Sequence, residues 1–250
     1  YYKPGGYYAL LLEGVEIPHD SPITENKGAP VIQQLLHNLG APHKIVDAAG
    51  PTWSVNTKRQ EVRRPKGYSY PLERFLGLPV GHELGHLLEG MNGKRSAIRL
   101  TASGLDRFEV GSEGRGLVPE QIAYPTFEKF TETDRWQTVL RRHFATAVTL
   151  GAMGTQLAFP ETYNYVHTVD TLYQVVKTPD DPEGAAARAH EKTWALMNQT
   201  HKGTDGTPGA VFRRYMMYLE GNTAVWEAEA TQPGRVLEGG RGKFDISNPR

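Results

Sequence analysis

The chain has no cysteine among its 250 residues. That excludes disulfides and thiolate ligands together, so any metal must be held by His, Asp and Glu, a donor set typical of open catalytic sites rather than closed structural ones. Net charge is also missing. With 28 Lys+Arg against 28 Asp+Glu, no global field draws the chain to nucleic acid or to an anionic membrane. Long apolar runs are absent too: stretches such as Ala9 to Leu12 fall far short of a membrane span. No signal peptide is visible, so the expected compartment is the cytoplasm, although a chain that starts at Tyr1 rather than Met leaves room for a lost leader. The length allows one large domain with a substantial core.

What is present is His82-Glu83-Leu84-Gly85-His86. On a helix the two histidines lie one turn apart on one face, near enough for both imidazoles to hold a single ion, and zinc is the expected one. Glu83 is offset by about a quarter-turn. That suits a carboxylate that takes a proton from water held at the metal rather than binding the metal itself. Upstream, Leu72, Phe75, Leu76 and Val80 have helical spacing, and Leu84, Leu87 and Leu88 continue it on the side away from the histidines. Pro79 either kinks this helix or starts a new one, and both cases leave residues 82–89 helical. Gly90 and Asn92-Gly93 read as the stop.

Residues 1–28, rich in Gly, Pro and Tyr, read as an irregular N-terminal wrap. Ala29 to Leu39 reads as a helix ended by Gly40. Lys44 to Asp47, Trp53 to Asn56 and Glu61 to Arg64 are short extended segments, which predict a small antiparallel sheet ahead of the metal helix with an edge strand open to an extended peptide. Leu100 to Val110 reads as loop or short strand. From Thr133 onward the pattern is helical: Trp136 to Val148, Tyr163 to Val176, a helix capped by Asp181-Pro182, then Phe212 to Gly221 and Ala224 to Ala230, with a short extended piece at Lys243 to Ile246. The fold class expected is α+β. One domain over 1–250 is divided into the wrap (1–28), the sheet and metal-binding helices (29–120) and a helical half (121–250).

A third metal ligand has to come from elsewhere. Glu113, between small residues on a second helix, is one candidate, and Glu109, Glu120 and Glu89 are rivals. Two clusters offer substrate contacts: Lys58, Arg59, Arg63 and Arg64 beside the edge strand, and Arg213, Arg214, Tyr215 and Tyr218 on a late helix. An Arg can grip a terminal carboxylate, and a Tyr hydroxyl can donate to an oxyanion.

The order and spacing of these motifs resemble the DUF1704 family, whose members include QEGLA-motif bacterial proteins and animal tubulin tyrosine carboxypeptidases. The resemblance runs from about Val31 to Ile246. It rests on Val55-Asn56, the His82 to His86 motif followed by Asn92-Gly93, Gly104-Leu105, Ser112-Glu113-Gly114, Lys202-Gly203, Phe212 with Arg214, Tyr218 and Gly221, and Gly242-Lys243. It implies a zincin-like (gluzincin) peptidase that removes residues from the C-terminus of a peptide or protein. It also implies His82, His86 and Glu113 as ligands of one Zn2+, Glu83 as general base, and Arg214 and Tyr218 as substrate contacts. The family usually spaces its histidines as His-Glu-x-x-x-His and has a Glu-Glu pair in the later box. Here the spacing is one shorter, the box carries a single Glu, and Arg115 stands where the family has an apolar residue. An endopeptidase on the same centre and a catalytically silent regulatory protein are the other readings.

Overall fold

In the computed structural model, which describes Tyr8 and residues 11–18, 21–50 and 52–246, the chain divides into two compact units, one drawn from Tyr1–Phe130 and Glu220–Arg250 and the other from Thr131–Leu219. Mixed α+β structure, mostly helical with small sheets, is the observed class.

The first unit starts with a capped helix. Thr24 is extended and its side chain accepts from the Lys27 amide, which satisfies one of the free N–H groups of the helix Glu25–Asn38. Val31, Ile32, Leu35 and Leu36 are buried along one stripe, and Gly40 follows the helix with φ +61°. The wrap expected over 1–28 lies partly outside the described residues, and within them it needs correction. Ile23–Thr24 (β1) pairs antiparallel with Ser69–Tyr70 (β5), and the helix is already under way at Glu25. Burial of Ile23 and the Thr24 cap set that earlier start.

Lys44–Ala48 (β2), Ser54–Asn56 (β3) and Glu61–Pro65 (β4) form the expected small sheet in the order β2-β4-β3. It is not purely antiparallel. β3 and β4 make an antiparallel hairpin, but β2 lies parallel to β4 on its other side. The chain between β2 and β4, residues 49–60, gives the dozen or so residues that a parallel crossover needs, and β3 is carried within it. β3 is thereby left at the edge of this sheet.

Pro71 leads from β5 into Leu72–Phe75, which continues as a π-helical segment, Leu76–Glu83, and then as the α-helix Leu84–Arg95. Pro79 explains the wide turn. It has no N–H for the carbonyl one turn back and its ring crowds that carbonyl, so the helix opens until the Leu84 amide reaches the Pro79 oxygen. His82 and Glu83 therefore sit in the last turn of the π segment, and His86 in the α-helix. Gly93 does not stop the helix. A Cβ there would lie 2.4 Å from the Thr101 carbonyl oxygen, so the residue allows a close approach, and the helix ends only after Arg95.

Residues 100–110, expected as loop or strand, instead hold the short helix Leu100–Ser103 and the start of the long helix Phe108–Ile122. Gly104, at φ +110°, makes the break between them. The long helix packs on the π segment through facing small residues. Added Cβ atoms at Gly77 and Gly81 would come within 2.8 Å of Glu120 Cα and 2.3 Å of Pro119 Cβ. Ile32, Leu35, Trp53, Val62, Phe75, Leu84, Leu87, Val118 and Val225 join in one apolar core beneath these elements. Burying each large side chain contributes roughly 1.5–3 kcal/mol.

Two late expectations also change. Phe212 to Ala230, read as two helices, is one, Arg213–Thr231; Gly221 is there because a Cβ would sit 2.1 Å from the Val110 carbonyl oxygen, not to end a helix. Lys243 to Ile246 forms no strand, although the Lys243 amide donates to Thr101 and its carbonyl accepts from Leu105.

In the second unit, Asp134–Thr149, Phe159–Lys177 and Pro182–Thr200 are helices, as the periodicity predicts. Asp181 caps the last by accepting from the Gly184 amide. Ala145, Val166 and Met197 form the centre of its core, flanked by Phe144, Phe159, Tyr163 and Leu196. Among the described residues no helix is long and apolar enough to cross a membrane.

Candidate metal centre

Two helices of the first unit deliver the centre. The π-to-α junction carries His82, Glu83 and His86, and the Phe108–Ile122 helix brings Glu113 to them. Among the described residues this is the one group whose ligand atoms can hold an ion: an atom from each of His82, His86 and Glu113 lies within 4.8 Å of the others. The imidazoles stand edge to face, with centroids 4.9 Å apart. Glu113 Oε2 is 3.6 Å from His82 Nε2 and 3.8 Å from His86 Nε2. Two nitrogens and a carboxylate oxygen converging from separate helices, with no sulfur, fit a borderline divalent ion that retains an open position.

The rival carboxylates take other places. Glu120 Oε1 accepts from His82 Nδ1 at 2.7 Å, on the side of the ring away from Glu113. Glu89 is buried 3.5 Å from His86 Nδ1, with Ser112 Oγ at 2.5 Å and Arg115 Nε at 2.8 Å. Glu109 is exposed in the first turn of its helix. With each Nδ1 engaged behind the ring, both Nε2 atoms face Glu113. Backing of this kind orients metal-binding histidines and raises their basicity.

Burial opposes a charge on His82, but the Glu113 and Glu120 carboxylates on either side of the ring outweigh that and lift it to about 10. Burial likewise opposes the Glu89 charge; the Arg115 guanidinium, with His86 and Ser112, holds that carboxyl down at about 2. For Glu83 burial wins. It pushes the carboxyl above its usual range against the pull of His82 and His86. Glu83 Oε2 accepts from the Val55 amide at 3.0 Å. The expected edge strand thus lies beside the motif, but its outward amide is already used to hold Glu83.

The remaining predicted residues are not part of this cluster. Lys58 and Arg59 are exposed in the turn between β3 and β4, where Asn56 Oδ1 accepts from the Arg59 amide and Gln60 takes a positive φ. Arg214 and Tyr218 belong to the second unit. There the Tyr218 ring carries the Arg142 guanidinium at 4.2 Å and that of Arg214 at 5.7 Å.

Sequence reasoning missed the small-residue spacing that lets the two helices meet. Gly77, Gly81 and Gly85 recur every fourth residue, and Gly114 and Gly116 flank Arg115. A Cβ on Gly116 would come 2.8 Å from His82 Nε2, and one on Gly85 3.1 Å from Arg115 Nη2. Such a run of glycines inside a helical pattern is the signal that was available. Comparison with protein-family models, with curated proteins and with solved structures found no match.

Proposed function

We propose that the protein is a zinc-dependent metallopeptidase of zincin-like (gluzincin) build that removes residues from the C-terminus of a peptide or protein. The observation that carries this reading is the convergence of His82 Nε2, His86 Nε2 and Glu113 Oε2, with Glu83 on the same stretch but outside the ligand group. His82, His86 and Glu113 would hold the ion. When bound, zinc supplies a Lewis acid for the scissile carbonyl and brings the pKa of water toward neutrality.

The chain's own residues do the rest. Glu83, made more basic by burial, takes the proton of the attacking water, and the Val55 amide fixes one of its oxygens so that the other is free for that task. Lys58 and Arg59, in the turn that follows β3, offer cations for a terminal carboxylate. The resemblance to the DUF1704 family supports exopeptidase action.

Glu83→Gln tests the reading. Zinc should remain bound while hydrolysis falls by orders of magnitude, and unchanged turnover would end it. A peptide offered as free acid and as C-terminal amide then decides the mode: loss of cleavage on amidation supports a carboxypeptidase, and indifference points to an endopeptidase.

A further inference from the structure

The geometry points to a positioning relay behind His86, in which Arg115, Glu89 and Ser112 together lock the imidazole in its Nδ1–H form and aim Nε2 at the cation. The relay rests on the metal-centre reading above. Its logic is proton counting. Ser112 Oγ lies 2.5 Å from Glu89 Oε2 and 2.9 Å from His86 Nδ1. A serine hydroxyl carries one proton, and an ionised carboxylate only accepts. Ser112 therefore donates to Glu89, which leaves its oxygen able only to accept from the His86 Nδ1–H. Nε2 is left as the nitrogen that faces Glu113.

Arg115 makes this arrangement tenable. Glu89 and Arg115 are both only 2% exposed, and a lone carboxylate at that depth would be strongly disfavoured. Arg115 Nε and Nη2 lie 2.8 and 2.7 Å from Glu89 Oε1, so the cation engages one oxygen and Ser112 the other. The guanidinium also has a berth made for it. A Cβ at Gly239 would lie 2.4 Å from Arg115 Cδ, so glycine is needed there to leave room for the side chain, and one at Gly85 would press on Nη2 at 3.1 Å. Each helix carries a ligand together with its support: His86 with Glu89 three residues on, and Glu113 with Ser112 and Arg115 on either side. Sequence alone gives no reason for an arginine between two glycines, and the relay supplies one.

Removing Arg115 would strand a buried charge and risk the fold, so Ser112→Ala carries the test, because it leaves the ion pair intact. Cobalt(II) binding is measured by chelator competition, with the cobalt absorption bands recorded for wild type, Ser112→Ala and Ser112→Thr. Ser112→Ala should bind cobalt about 10- to 100-fold more weakly and shift the bands. Ser112→Thr, which keeps the hydroxyl, should restore both, a rescue that a purely structural role would not produce. Wild-type affinity and bands in Ser112→Ala, or no recovery in Ser112→Thr, would overturn the relay while leaving the centre standing. A wild-type chain that binds no cobalt would overturn both.

Discussion

Gly116 backs directly onto His82: a Cβ placed on it would lie 2.8 Å from both Nε2 and Cδ2 of the imidazole. No other residue type leaves that ring where it is. Gly116→Ala should therefore displace His82 from Glu113 and weaken metal binding, with roughly 1–3 kcal/mol of overpacking cost. Chelator competition and urea unfolding measure the two effects, and wild-type affinity in this variant would show that the ring has slack.

Val55 sits at the edge of its sheet and spends its amide on Glu83. Proline is tolerated where the N–H points out of a sheet, so Val55→Pro removes the anchor without breaking the ladder to β4. A hydrogen bond to a charged group contributes about 1.5–3 kcal/mol, so kcat should fall roughly ten- to a hundredfold. Zinc content should not change. Val55→Ala, which keeps the amide, should stay near wild type, and equal kcat in the Pro and Ala variants would remove the amide from the mechanism.

Lys58→Ala with Arg59→Ala should raise KM for free-acid peptides several-fold, since exposed ion pairs contribute only about 0.2–1 kcal/mol each. The same double variant should leave any cleavage of amidated peptides unaltered. A KM that rises equally for both substrates would mean these cations do not read the terminal carboxylate.

His43 is buried, and neither of its ring nitrogens has a hydrogen-bond partner among the described residues. Burial, with help from Lys94, holds its pKa below the ordinary 6.5. A histidine kept neutral in the fold favours the native state fully above its unfolded pKa, and that contribution is lost as pH falls through the folded value. His43→Phe should thus flatten the decline in stability below about pH 6.5. Urea unfolding at a series of pH values measures it, and parallel curves for the two proteins would contradict the assignment.

The metal motif was legible because its information is local. His82 and His86 need only a helix to meet, and even the π turn forced by Pro79 leaves them facing one point. Asp181 likewise announces its helix by a side chain that caps it, whereas the Thr24 cap went unread and the first helix was expected to start only at Ala29. The choice among four glutamates was not local. Glu89 reaches His86 Nδ1 from three residues along the same helix, but only the crossing of two helices decides that Glu113 faces Nε2 and Glu120 the Nδ1 of His82. The parallel pairing of β2 with β4 was hidden for the same reason, since strand order depends on where β3 is carried rather than on the residues of β2. Arg115 read only as a departure from the family's pattern; its burial follows from glycines on other elements.

The claim on which all of this depends is that His82, His86 and Glu113 hold one divalent ion. Zinc content of protein purified without added metal tests it most directly. The account predicts one zinc per chain in wild type and in Glu109→Gln, and loss of it in His82→Ala and Glu113→Ala with the fold retained by circular dichroism. A folded wild-type chain without zinc, or full occupancy in Glu113→Ala, would contradict it.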